Sequence, residues 1–217
     1  MRYVKMFGLA ALAATALMAL VGVGTASATK GVACSTATNP CTSRWAVPTA
    51  FDLSLTPGGS SQFRSTSGTT LTTCTTATFQ GILTKVGSST ETATGENTAF
   101  TWGTVATPCS PYAETTTTLG KFKIEVDGDG NGEFYSDAEM EFTLHVPGFL
   151  GGPCVYKIPP DRTIGTWDES LQELTINAIV DRTQTGTHPC VFGSETNVWN
   201  ATFVKTSPTT TLYISTS

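Results

Sequence analysis

Through most of the chain after residue 28, apolar and polar residues alternate one for one, the period of a strand with one face buried and the other in water. In AFDLSL the apolar set is Phe51, Leu53 and Leu55; in TAFTWGTV it is Phe100 and Trp102; in KFKIEV it is Phe122, Ile124 and Val126. The same spacing returns in LTINAIV at Leu174, Ile176, Ala178 and Val180, in VWNATFV at Trp199, Ala201 and Phe203, and at Leu212 and Ile214. The clearest stretch runs from Tyr135 to Val146. One face there holds Ser136, Ala138, Met140, Phe142, Leu144 and Val146, the other Tyr135, Asp137, Glu139, Glu141, Thr143 and His145.

Between these runs stand TPGGSS, VGSS, GEN, SPY, PGFLGGP and KTSP, all rich in turn formers. About ten short strands separated by such turns predict an all-β protein. The expected architecture is an antiparallel β-sandwich, jelly-roll or immunoglobulin-like, with a closed barrel as the alternative. Threonine, roughly a fifth of the residues after 28, adds to the β bias, since its branched Cβ suits a pleated surface. If KFKIEV and the 135–146 stretch form a hairpin, Lys121 and Lys123 are expected to face Glu139 and Glu141.

The first 28 residues break this pattern. Arg2 and Lys5 precede an unbroken apolar run that ends in Ala26-Ser27-Ala28, the composition of a secretory signal peptide cut after Ala28. Residues 29–217 are then expected to form a single secreted domain with no membrane span once the signal is cleaved. Loss of Arg2 and Lys5 takes the net charge from −5 to −7, and without clustered Lys and Arg the chain has nothing with which to grip phosphate, so nucleic acid is not an expected partner.

Export also changes what the cysteines mean. Six remain after the signal, Cys34, Cys41, Cys74, Cys109, Cys154 and Cys190, and an even set in an oxidising compartment implies disulfides. Sequential pairing is expected, Cys34 with Cys41, Cys74 with Cys109 and Cys154 with Cys190. A zinc site fits less well, because no CxxC pair is present and His145 and His188 are the only histidines.

Two acidic stretches carry candidate chemistry. In DGDGNGE, Asp127, Asp129 and Asn131 occupy positions one, three and five of a calcium loop, Gly132 the sixth, and the carbonyl of Glu133 the seventh. Position twelve is Ala138 in place of the closing Glu, so a Ca²⁺ site would need Asp137 or Glu139 to fold back. The other reading is a hairpin turn in which Asp-Gly and Asn-Gly supply positive-φ residues. In YSDAEMEF, the order of Asp137, Glu139 and Glu141 resembles the Glu-x-Asp-x-Glu strand of jelly-roll glycosidases of the laminarinase type. An Asp stands where that family has its nucleophile, and three carboxylates on the wet face of a strand need no catalytic role. Trp45, Trp102, Trp167 and Trp199 could stack on sugars if exposed, but Trp102 and Trp199 fall on apolar faces and are expected in the core.

Taken together, the signal segment GLAALAATALMALVGVGTASAT, the Thr-rich segments that carry the cysteines and the ending TFVKTSPTTTLYIS resemble a group of uncharacterised exported proteins of high-GC Gram-positive soil bacteria. The resemblance implies no activity. The expected function is that of a non-catalytic secreted or cell-surface protein with an interaction or structural role, its partner an extracellular protein or a glycan. A carbohydrate- or calcium-binding module is the alternative, and a glycoside hydrolase the third.

Overall fold

The structure, a computed structural model, describes residues 29–146, 153–183 and 195–216. The expected signal segment, His188 and Cys190 lie outside the described residues. Sixteen strands are described. The first half of the chain gives β1 (Thr29–Lys30), β2 (Val32–Cys34), β3 (Thr49–Leu55), β4 (Ser61–Ser65), β5 (Thr70–Cys74), β6 (Ala77–Lys85), β7 (Ala93–Trp102) and β8 (Ala113–Thr118). The second half gives β9 (Lys121–Val126), β10 (Gly132–Ala138), β11 (Met140–His145), β12 (Pro153–Ile158), β13 (Thr163–Asp168), β14 (Glu173–Thr183), β15 (Thr196–Ser207) and β16 (Tyr213–Ser215).

All pairings are antiparallel, and of the two all-β architectures the closed barrel is the one formed. Eight strands run β3-β6-β7-β9-β10-β13-β14-β15, and β15 returns to β3 through Phe203 opposite Leu55 and Val204 opposite Ser54. The alternation dictates which residues enter. Along β14, Leu174, Ile176, Ala178 and Val180 are buried while Thr175, Asn177 and Ile179 face out. Phe122, Ile124 and Val126 enter from β9, and Phe51 and Leu53 from β3. Eight strands enclose little space, so large inward residues need small ones opposite. Gly81 and Gly95 supply that room. A Cβ on Gly81 would lie 2.5 Å from Phe51 Cζ, and one on Gly95 2.1 Å from Phe122 Cζ.

β14 and β15 outrun the barrel. Beyond it, Asp181 and Thr183 pair with Lys157 and Val155 of β12, while Asn197 and Trp199 pair with Ser65 and Phe63 of β4. From there the sheet continues through β11 to β8 on one side and to β5 on the other. The two ends meet at one isolated bridge, where Thr73 N–H donates to the Ser110 carbonyl at 2.8 Å and Ser110 N–H donates to the Thr73 carbonyl at 2.9 Å. The Cys74–Cys109 disulfide stands beside that bridge. The result is a second, seven-stranded ring sharing the β14–β15 hairpin with the first. Its interior is aromatic. Phe63, Phe142, Tyr156 and Trp199 are fully buried, with Phe100 and Trp102 from the far end of β7 packed against them.

The 135–146 stretch is two strands. β10 pairs with β9 as a hairpin, but a bulge between Ser136 and Ala138 and a break at Glu139 release β11 to pair with β12 and β8. Its buried face largely follows the alternation: Ser136, Met140, Phe142, Leu144 and Val146 are enclosed, whereas Ala138 beside the break is half-buried and Thr143, expected on the wet face, is buried. The expected ion pairs across the hairpin do not form, because Lys121 and Lys123 stay with β9 while Glu139 and Glu141 move into the second ring. Lys121 instead reaches Glu96 at 2.7 Å, Lys123 reaches Asp161 at 2.6 Å, and Glu139 and Glu141 share Lys157 at 2.8 and 3.4 Å.

Two expected disulfides are present, Cys34–Cys41 and Cys74–Cys109. Cys154 is disulfide-bonded as well, but the expected pair with Cys190 falls outside the described residues.

Candidate functional site

The DGDGNG segment is the β9–β10 connection, and its geometry follows from Asp127. The Asp127 carboxylate accepts the backbone N–H groups of Asp129 at 2.9 Å and Asn131 at 2.8 Å, and the Asn131 side-chain amide at 3.0 Å. Its backbone closes the same turn, taking the Gly130 N–H at 3.2 Å and donating to the Asn131 carbonyl at 2.9 Å. Gly130 sits at φ +92°, which a side chain would strain. These donors, the Asn131 amide first, hold the Asp127 carboxyl below its ordinary range.

Of the five candidate metal ligands, the turn therefore gathers Asp127, Asp129 and Asn131. Glu133 and Asp137 lie on the outer face of β10. Glu133 accepts the hydroxyl of Tyr135, which burial first and this carboxylate second push up to about 12. Asp137 stands four residues further along the strand, about 13 Å at the usual rise per residue, and does not fold back to the loop.

A second acidic turn adjoins the first, because Gly132 pairs with Trp167. Asp168 accepts Ser170 N–H at 2.8 Å, the Ser170 hydroxyl at 2.7 Å and Leu171 N–H at 3.1 Å, and these, the hydroxyl first, hold its carboxyl down. The neighbouring Glu169 accepts the Ile214 N–H at 2.5 Å. Two clefts open beside Glu169 at this end of the barrel. One, about 530 Å³, is lined by Asn131, Thr166 and Asp168; the other, about 520 Å³, by Asn39, Asp127 and Tyr213. Asp168 and Glu169 were not singled out by motif reasoning. The Asp-x-Ser of WDESL, a side-chain-capped turn, is the signal that marks them.

The other candidates are dispersed. Asp137 is exposed, Glu139 and Glu141 are tied to Lys157, and none of the three lines either cleft. His145 is an exposed partner of the Thr115 hydroxyl at 2.9 Å. Each tryptophan is enclosed or packed on the core, with its indole N–H satisfied inside the protein: Trp45 by the Thr211 carbonyl, Trp167 by that of Leu212, Trp102 by the Thr116 hydroxyl and Trp199 by the Ser61 hydroxyl. Among the described residues one further group has metal-like spacing, Cys74, Cys109 and Glu114. Its two sulfurs are joined as a disulfide and offer no thiolate.

Compared with family models, curated proteins and solved structures, the chain matches none.

A self-satisfied turn gains little from an ion. At 10 mM calcium, against magnesium at equal ionic strength, the melting temperature is expected to shift by less than about 1 °C, since binding to the native state alone would add RT ln(1 + [L]/Kd). A calcium-specific rise of several degrees that Asp129→Ala abolishes would assign the loop as a metal site.

Proposed function

We propose that this is an exported, non-catalytic protein with an interaction or structural role outside the cell, and that the barrel end around Asp127 and Glu169 is its polar contact surface. The observation that carries the reading is the placement of the tryptophans. A sugar-binding sheet presents aromatic faces to solvent, whereas here Trp45, Trp167 and Trp199 are 6, 4 and 0 % exposed and Trp102 is packed against Trp199 and Phe142. The disulfides support export. No helix among the described residues is long and apolar enough to cross a membrane. The pairing of Glu139 and Glu141 with one lysine, away from the clefts, argues against hydrolysis by a carboxylate pair.

A glycan array probed with the mature protein, with and without calcium, tests the reading. Signal at background in both conditions is expected. Reproducible capture of one glycan class would replace this role with that of a carbohydrate-binding module, and capture only with calcium would bring the Asp127 loop into that site.

A further inference from the structure

Glu114 is charged by type yet 5 % exposed, on the inward face of β8. Its Oε2 lies 3.4 Å from Cys74 Sγ, and its Oε1 has no hydrogen-bond partner. A disulfide sulfur carries no proton, so the only possible donor in this contact is the carboxyl itself, in its neutral form. Burial pushes the Glu114 carboxyl well above its ordinary range, which agrees with that assignment.

The two cysteines are both buried but differ in their surroundings. Cys74 is fully enclosed, while Cys109 is 6 % exposed and sits in a stretch whose neighbours, residues 104–108 and 110, are all exposed. A thiolate arriving from solvent would therefore meet Cys109 and expel Cys74. Enclosure makes Cys74 a poor leaving group, because a thiolate in apolar surroundings is costly. A proton donor in contact with that sulfur removes the difficulty.

We propose that Cys74–Cys109 is a thiol–disulfide exchange site at which Glu114 acts as the acid and a dithiol is the reductant. One thiolate of the dithiol forms a bond to Cys109 Sγ as the Cys74–Cys109 bond breaks. The released electron pair stays on Cys74 Sγ, which takes the proton from Glu114. The second thiol of the dithiol then displaces Cys109, its proton returning to Glu114, and Cys109 is protonated from water. The dithiol is oxidised by two electrons and the cysteine pair reduced. The exchange is stoichiometric, so it adds no turnover to the role proposed above. Its consequence is local, since this disulfide flanks the single bridge that completes the second ring.

Cys34–Cys41, whose sulfurs lie beside the carbonyls of Val32 and Ser43, provides an internal comparison. The mature protein would be treated with dithiothreitol, quenched with iodoacetamide at intervals and mapped by peptide mass. Glu114→Gln, which keeps the shape but cannot release a proton, is expected to slow reduction of Cys74–Cys109 by about a hundredfold and to leave Cys34–Cys41 unchanged. In the unaltered protein the rate, corrected for the thiolate fraction of the reagent, should fall as rising pH ionises Glu114. Tyr156 of β12 is the titratable group that interacts electrostatically with Glu114, and it interacts in turn with Arg182 of β14. Their replacement by Phe and Gln should leave the downward limb in place. An equal or faster rate for the Gln variant overturns the proposal. Should that variant fail to fold, a pH-independent corrected rate, or one that saturates at the global unfolding rate, overturns it equally.

Discussion

Replacement of Trp199 by alanine is expected to remove about 3–5 kcal/mol of stability, a large part of the roughly 5–15 kcal/mol that a domain of this kind possesses. Trp199 is fully buried at the level where the two rings join, with ring centroids 5.1 Å from Phe142, 5.4 Å from Trp102, 5.5 Å from Phe100 and 6.2 Å from Phe63. These neighbours come from β11, β7 and β4, each held in its own ladder, so they cannot close on the void together. Ser61, 1 % exposed, would also lose the indole N–H that its hydroxyl accepts at 2.9 Å. Urea denaturation checks this. The midpoint should fall while the slope m is unchanged, because the variant unfolds from the same fold to the same exposed chain. A loss under about 1 kcal/mol would mean that the aromatic cluster repacks.

The second large effect is a pH dependence. Glu114 is held neutral in the fold by burial, whereas in the unfolded chain it ionises near pH 4.3. Its folded pKa is raised, so the folded state binds more protons between the two values. Its contribution is fully present below the unfolded pKa and is lost as pH rises toward the folded one. Asp127 and Asp168 act in the opposite sense. Their carboxyls are held down, and their contribution is lost only as pH falls through those depressed values, so the two windows do not overlap. Glu114→Gln, measured by urea denaturation from pH 4 to 9, is expected to match the unaltered protein at the acid end and to exceed it by about 1–3 kcal/mol at the alkaline end, the usual cost of an unsatisfied buried polar group. Parallel curves for the two proteins would show that the carboxyl reaches a counter-charge on ionising.

The alternation of single strands was plain in the sequence because burial on one face enforces it residue by residue. Leu174, Ile176, Ala178 and Val180 lie inside as their spacing requires, and so do Trp199 and Phe203. Closure was less legible. A sandwich and a barrel use the same period, and the choice depends on whether the last long strand returns to the first, a pairing across some 150 residues that no local pattern encodes. Bulges hid the break at Glu139, since the alternation runs on unchanged through 135–146 while the hydrogen bonds change partners. At the candidate site, the Asp127 turn was legible through its glycines. Asp168 and Glu169 were not, because their significance comes from the β10–β13 pairing that sets two turns side by side. Glu114 looked like one polar residue in a threonine run, and only the fold places it against Cys74.

The hairpin of β14 and β15 belongs to both rings, and this governs the order in which the molecule can assemble. Until residues 196–207 are available, β3, β4 and β14 each present an unpaired edge, and neither enclosure can form around its side chains. A chain emerging from its N-terminus must therefore hold the strand-forming sequence from residue 29 to residue 195 without a finished interior. Over that interval the outward polar residues of these strands serve a purpose that the finished fold conceals. With Ser54 on β3, Gln62 and Arg64 on β4 and Thr175 and Asn177 on β14 turned outward, the waiting edges remain better solvated than valine or isoleucine edges would be, and less able to join those of another chain.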